Sequence, residues 1–218
     1  MTFAAPFIVL EGPEGAGKSH QAGVLSAWLR EQGWQVVQTR EPGGTPAGDA
    51  IRAILLQSDD LHLVPETEAL LMTAARAQHV RELILPSLQQ GVAVVSDRFV
   101  DSTYAYQGGG IMLGVERLKP LQEFAVGDLQ PDVLLLIDVP VEIGLARRHG
   151  EAASVNRIDR APVAYHQRVR TAFLQRVAAD PDAWDVIDAT ASIDEVAASI
   201  RTAVERRLRT FAPPIGQS

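Results

Sequence analysis

FIVLEGPEGAGKS, residues 7–19, passes from strand to loop to helix within a few positions. Phe7 to Leu10 is wholly apolar and partly β-branched, which predicts a short buried strand. Gly12 to Ser19 fits G-x-x-x-x-G-K-[ST], and from Lys18 onward Ala22, Leu25 and Leu29 recur on one helical face. Glycines let consecutive backbone N–H groups converge on phosphate oxygens, and the helix that follows points its positive end at the same anion. In such a loop Lys18 reaches the β- and γ-phosphates, and the Ser19 hydroxyl holds Mg²⁺.

The pattern repeats outward from there. The first helix is expected over about Ser19 to Gln32, and Gln35 to Thr39 reads as a second strand running into the charged turn Arg40 to Thr45. A helix carrying Arg52 follows over about Ala47 to Gln57, then a polar loop over 58–65. Glu66 to Gln90 reads as helical, with Pro86 expected to kink or split it. Val92 to Ser96 is a third strand, closed by Asp97-Arg98-Phe99 at the sheet edge where the glycine loop lies. A carboxylate there suits an Mg²⁺ site. Asp101 to Gln107 reads as two helical turns ended by Gly108 to Gly110.

Leu113 to Val126 is expected to be a helix, and Val133 to Asp138 is the most apolar strand of the chain. A helix from about Val141 leads to Arg147 and Arg148, and the small, polar stretch after it ends in Asn156-Arg157-Ile158-Asp159. A helix over about Pro162 to Ala179, a strand over Asp185 to Asp188 and a helix over Ile193 to Arg209 complete the chain, and 212–218 is expected to be a disordered tail. Five strands alternating with helices predict an α/β fold of three layers: a five-stranded parallel sheet covered by helices on both faces, as in P-loop NTPases. No repeat or linker divides residues 1–218, which predicts a single domain.

A formal charge of −7 argues against a general nucleic-acid or membrane-surface binder, since either wants a basic face. A phosphorylated ligand must instead be met by local clusters of cations. Only Lys18 and Lys119 among the 20 basic residues are lysines, so arginine supplies nearly all positive charge. The chain has no cysteine, no apolar run of membrane-spanning length and no leader-like N-terminus, which leads to the expectation of a cytoplasmic enzyme.

Taken together, GPEGAGKS, TREPGGT, the helix ending AARAQH, SDRFVDSTYAYQGGG, the arginine-rich stretch with NRID, and VIDAT resemble the bacterial thymidylate kinases in order and spacing, over nearly the whole chain. The resemblance implies a nucleoside-monophosphate kinase that transfers the γ-phosphoryl of ATP to dTMP with Mg²⁺, giving dTDP, with a lid at about 147–160 and a homodimeric assembly. It implies that Gly12, Pro13, Glu14, Gly15, Ala16, Gly17, Lys18 and Ser19 bind ATP, with Arg147 and Arg148 at the adenine. It assigns the metal to Ser19, Asp97 and Glu41, and the catalytic roles to Lys18, Asp97, Arg98 and the lid arginine Arg157.

On the acceptor side it implies that Glu14 takes the deoxyribose 3′-hydroxyl, and that Glu41, Arg40, Arg52 and Arg98 lie around the monophosphate. Arg76, Thr103 and Gln107 are expected to read the thymine edge, with Tyr104 and Tyr106 along the sugar. Met72 stands where the family usually has an aromatic against the base, and His20 and Asn156 also depart from its usual residues. The competing readings are a kinase for another pyrimidine monophosphate such as dUMP or UMP, an ATP-binding module without transfer, and a GTP switch. The chain contains no N-K-x-D guanine motif to support the last.

Overall fold

Five parallel strands in the order β2-β3-β1-β4-β5 form the centre of the molecule, with β1 spanning Phe7–Glu11, β2 Val36–Arg40, β3 Ala93–Asp97, β4 Val133–Asp138 and β5 Trp184–Asp188. The computed structural model describes residues 3–56, 61–150 and 156–211. The tail expected over 212–218 and part of the lid expected at 147–160 lie outside them. In register, Leu10 faces Asp97 of β3 and Leu135 of β4, so β1 is paired on both sides. All three central strands therefore end at one edge.

Alternation along β1 divides the core. Ile8 and Leu10 pack under α1 (Lys18–Glu31) and α9 (Ile193–Arg207), where Leu25, Leu29, Ile200 and Val204 are buried. Phe7 and Val9 face the other layer, against Val80, Ile84, Leu88 and Phe99. A third cluster sets Tyr106, Leu136 and Trp184 against Val169 and Phe173 of α8 (Val163–Ala179). The three central strands are largely apolar because both faces of the sheet are covered there, whereas the edge strands β2 (VVQTR) and β5 (WDVID) carry exposed polar residues.

The helical stretch expected over Glu66 to Gln90 is α3 (Pro65–His79), a π-helical turn Val80–Ile84 and α4 (Leu85–Gln89) in unbroken succession. Pro86 has no N–H to donate back along the helix. The structure meets this by widening the preceding turn rather than breaking the chain. After α5 (Val100–Thr103), Tyr104–Gly110 is likewise π-helical, so the glycines expected to end this segment belong to it. Arg168 holds that end, donating to the Gly110 carbonyl from Nε at 3.1 Å and Nη2 at 2.7 Å. The remaining α-helices among the described residues are α2 (Pro46–Leu56), α6 (Val115–Val126) and α7 (Val141–Gly150). No helix among the described residues is long and apolar enough to cross a membrane.

Candidate active site

β1 delivers the chain to the sheet edge, where Gly12 to Gly17 form the loop and Gly17, in the left-handed region, caps α1. Gly15 has φ +70°, and a Cβ there would lie 1.9 Å from the Gly144 carbonyl oxygen of α7. The loop and α7 thus touch backbone to backbone. Lys18 is buried and donates from Nζ to the Pro13 carbonyl at 2.7 Å, across the mouth of the loop. Burial and neighbouring Arg98 push its ammonium down to about 8, against the pull of Glu14, Asp97 and Glu11, so it is still charged at neutral pH.

Asp97, at the end of β3, accepts from the Ser19 hydroxyl at 2.5 Å on Oδ2, while its buried Oδ1 has no hydrogen-bond partner in the structure. An anionic oxygen left unpartnered beside a hydroxyl is the donor set that Mg²⁺ accepts when phosphates and water complete its shell. The two residues therefore fit the ion. Among the described residues, no group of three or more acidic or histidine side chains could hold a metal by itself.

Arg98 follows in a left-handed backbone conformation, φ 77°, which is costly for a side chain of its size and aims it back over the loop. Its Nη1 donates to the Gly12 carbonyl at 2.9 Å and to Ser102 Oγ at 3.2 Å, its Nη2 to Glu14 Oε1 at 2.9 Å, and its guanidinium lies 4.7 Å from the centre of the Tyr106 ring. Burial alone would raise the Glu14 carboxyl. Arg98, Lys18 and the Tyr106 hydroxyl overcome this and bring it down to about 2. Beneath them Glu11 is wholly buried, accepting on Oε1 from the Phe99 and Ser102 amides at 2.8 and 3.0 Å and on Oε2 from the Ser102 hydroxyl at 2.5 Å. Burial and nearby Asp101 raise its carboxyl to about 7 against these bonds.

One cavity of about 1100 Å³ spans these groups. Its wall carries Lys18, Arg40, Arg52, Arg98, Arg147, Arg148 and Arg160, against the carboxylates Glu14, Glu41 and Asp97. That concentrates cations at one place in a chain of net charge −7. Arg147 donates to the Ala189 carbonyl at 2.9 Å, which ties the end of α7 to the loop after β5. Arg148 pairs with buried Asp159 at 2.9 Å. Asn156 accepts from the Ile158 amide at 2.8 Å and shapes the 156–160 turn.

Away from the loop, α3 meets the end of β2 through a buried polar network. Arg76, 2% exposed, donates from Nε to Glu41 Oε2 at 2.7 Å, from Nη1 to Thr103 at 2.8 Å and to Gln122, and from Nη2 to the Phe99 carbonyl at 2.7 Å. His79 places Nδ1 2.9 Å from Glu41 Oε1 and Nε2 2.7 Å from Thr39 Oγ1. Burial would raise the Glu41 carboxyl, but Arg76 and His79 hold it below its ordinary value.

Comparison with known proteins decides the family. The thymidylate kinase family model matches residues 10–200. A protein named thymidylate kinase from Thermomicrobium roseum is 51% identical over 194 residues, covering 89% of this chain and 91% of its own length. Another of that name, from Pseudomonas savastanoi pv. phaseolicola, is 49% identical over 205 residues, covering 93% and 96%. The chain belongs to the thymidylate kinase family.

Against the roles that family resemblance implied, the structure gathers Glu14 to Ser19, Arg40, Glu41, Arg52, Met72, Asp97, Arg98, Tyr106, Arg147 and Arg148 on the cavity wall. Gly12 and Pro13 stand behind it, their carbonyls holding Arg98 and Lys18. The other residues of that reading hold partners within the protein. Arg76 and Thr103 are buried and bonded to each other, as a buried guanidinium needs acceptors. Gln107, fully buried, donates to Glu68 at 2.9 Å. Tyr104 is turned away under Arg176, whose guanidinium lies 5.0 Å from its ring.

Both Glu41 oxygens are engaged, Oε2 by Arg76 and Oε1 by His79. Arg157, expected beside the transferred phosphoryl, pairs in this structure with buried Glu68 of α3, and Arg160 lies on the wall in that stretch. Glu11, Glu68, Ser102 and Gln122 escape a reading of the sequence. For Glu11 there was a signal: like Asp97 and Asp138, it is a carboxylate ending an apolar strand.

Proposed function

We propose that this chain phosphorylates dTMP to dTDP with ATP as donor and Mg²⁺ as cofactor, acting in the cytoplasm as a homodimer. The observation that carries the reading is a single large cavity in which Lys18 and Arg98 converge on the glycine loop while further arginines line the rest of the wall. Its volume, about 1100 Å³, exceeds the roughly 300–1000 Å³ of single-ligand sites and has room for two nucleotides.

The donor's phosphates lie on the loop N–H groups and the N-terminus of α1, with Lys18 at the β- and γ-oxygens. Ser19 and Asp97 hold Mg²⁺, which supplies neutralisation of phosphate charge. Arg98, braced by Gly12, Glu14 and Ser102, presents its charge to the acceptor phosphate, and Arg148 and Arg160 line the wall with charge for the transferring group. Arg40 and Arg52 extend the positive wall on the acceptor side, where Arg52 is anchored to the Pro42 carbonyl at 2.9 Å. Transfer is in line, and positioning with charge neutralisation suffices without a covalent intermediate. Leu70 and Phe124, exposed on α3 and α6, which pack together, are apolar surface that a homodimer interface would cover.

The test is a coupled ADP-release assay with ATP and Mg²⁺, offering dTMP, dUMP, UMP, CMP, AMP and GMP in parallel. Strong preference for dTMP is expected. A higher kcat/KM for dUMP or UMP would overturn the substrate while leaving the phosphate machinery in place.

A further inference from the structure

Glu68 lies in the first turn of α3 and is 3% exposed, yet it faces inward and is bonded on both oxygens. Oε1 accepts from the Gln107 amide at 2.9 Å, and Oε2 accepts from Arg157 Nη2. Arg157 also donates from Nε to the Leu55 carbonyl near the end of α2, at 3.3 Å. One arginine thus ties the 156–160 turn to two helices at once.

The neighbours of these three anchoring residues all face the cavity. Ile158 follows Arg157, Leu56 follows Leu55, and Met72 lies one helical turn beyond Glu68; each lines the wall. Ile158 also packs on the cluster that contains Tyr106. An apolar end of the cavity is therefore assembled from three elements, of which α2 and α3 pack together and the 156–160 turn is tied to both through Arg157. A carboxylate this buried is tolerated because it is paired and hydrogen-bonded.

We propose that Glu68 is a positioning residue for the acceptor: by holding Arg157 against α2 and α3 it places Ile158 beside Leu56 and Met72, and so shapes the apolar wall that takes the base of the monophosphate. The inference rests on the reading of the chain as a dTMP kinase. It gives Arg157 a structural duty toward the acceptor, with the charge at the transferring phosphoryl coming from other cations of the wall. Breaking the pair should then weaken acceptor binding while sparing the donor side. A residue acting on the transferring group would behave oppositely, lowering kcat with little change in acceptor affinity.

The experiment is steady-state kinetics on the full chain and on Glu68→Gln, Arg157→Gln and the double variant, with dTMP and ATP each titrated, alongside calorimetric titration of dTMP. Each single variant is expected to raise the KM and Kd for dTMP about tenfold and to shift the KM for ATP less than about twofold, with the double variant no worse than the poorer single. Either of two results overturns the inference: unchanged dTMP affinity with lowered kcat, or single losses that multiply in the double variant. Should Glu68→Gln fail to fold, Arg157→Gln decides alone, since that side chain is the more exposed of the pair at 36% against 4%. A wild-type chain inactive on dTMP would overturn the functional reading and this inference with it. An active wild type whose variants keep its dTMP affinity overturns the inference alone.

Discussion

At the glycine loop the groups that meet phosphate are placed by backbone, within one continuous piece of chain: a left-handed Gly17, a close contact at Gly15, and Lys18 on the first position of α1. At the α2–α3 end the buried polar groups are placed by side chains that arrive from far apart. Arg76 alone bonds to Glu41, Phe99, Thr103 and Gln122, which belong to three other stretches of the chain. The first arrangement grips a charge pattern common to all nucleotides. The second builds a shape, and a shape is what tells one base from another. Removing a group should therefore do different things at the two ends.

The sharpest contrast is expected at Lys18. Lys18→Ala deletes charge at the β- and γ-phosphates and should lower kcat/KM on the order of 10³-fold while the denaturant midpoint hardly moves. Near-normal turnover in that variant would break the assignment of the loop. Arg76→Ala should do the reverse, because it strands the buried Glu41 carboxylate and several acceptors. A loss of stability of about 3 kcal/mol, read from urea unfolding, is the expected outcome. If Arg76→Ala unfolds like the wild type and fails only in turnover, the division between the two ends does not hold.

The smallest effect is a pH dependence confined to the loop end. Lys18 binds phosphate when protonated, and its value, lowered to about 8, brings its loss of charge within reach of assay. The kcat/KM for ATP, which reports the free enzyme, should fall with rising pH above about 8, and Lys18→Arg should flatten that limb. A profile level up to the ordinary lysine value of 10.5 would mean that the burial of Lys18 does not govern its titration.

The same contrast explains what could be read beforehand. Residues 7–19 announce strand, loop and helix because each step depends on neighbours in sequence, and the three central strands are recognisable because both of their faces are buried. Asp97 was within reach for the same reason, as a carboxylate ending a strand next to that loop. The partners of Arg76 were not legible, because helical periodicity says which way a side chain points but not which acceptors from distant segments will enclose it. Glu68 reads as an acid in the first turn of a helix, where a favourable dipole already explains it, and nothing nearby in sequence hints at Arg157. The glycines after Tyr106 misled because a turn signal counts only until tertiary packing overrides it, as Arg168 does at Gly110.

The contact between Gly15 and Gly144 also constrains how such a chain can change over generations. A Cβ on Gly15 meets the carbonyl oxygen of Gly144 at 1.9 Å, and a Cβ on Gly144 meets the carbonyl oxygen of Glu14 at 2.3 Å. In each case the obstacle is main chain, which no substitution at the opposite site can shrink. The two positions cannot covary to rescue one another, as a large and a small side chain might. Each is locked on its own, and a lineage that loses either glycine has no compensating mutation available across that contact.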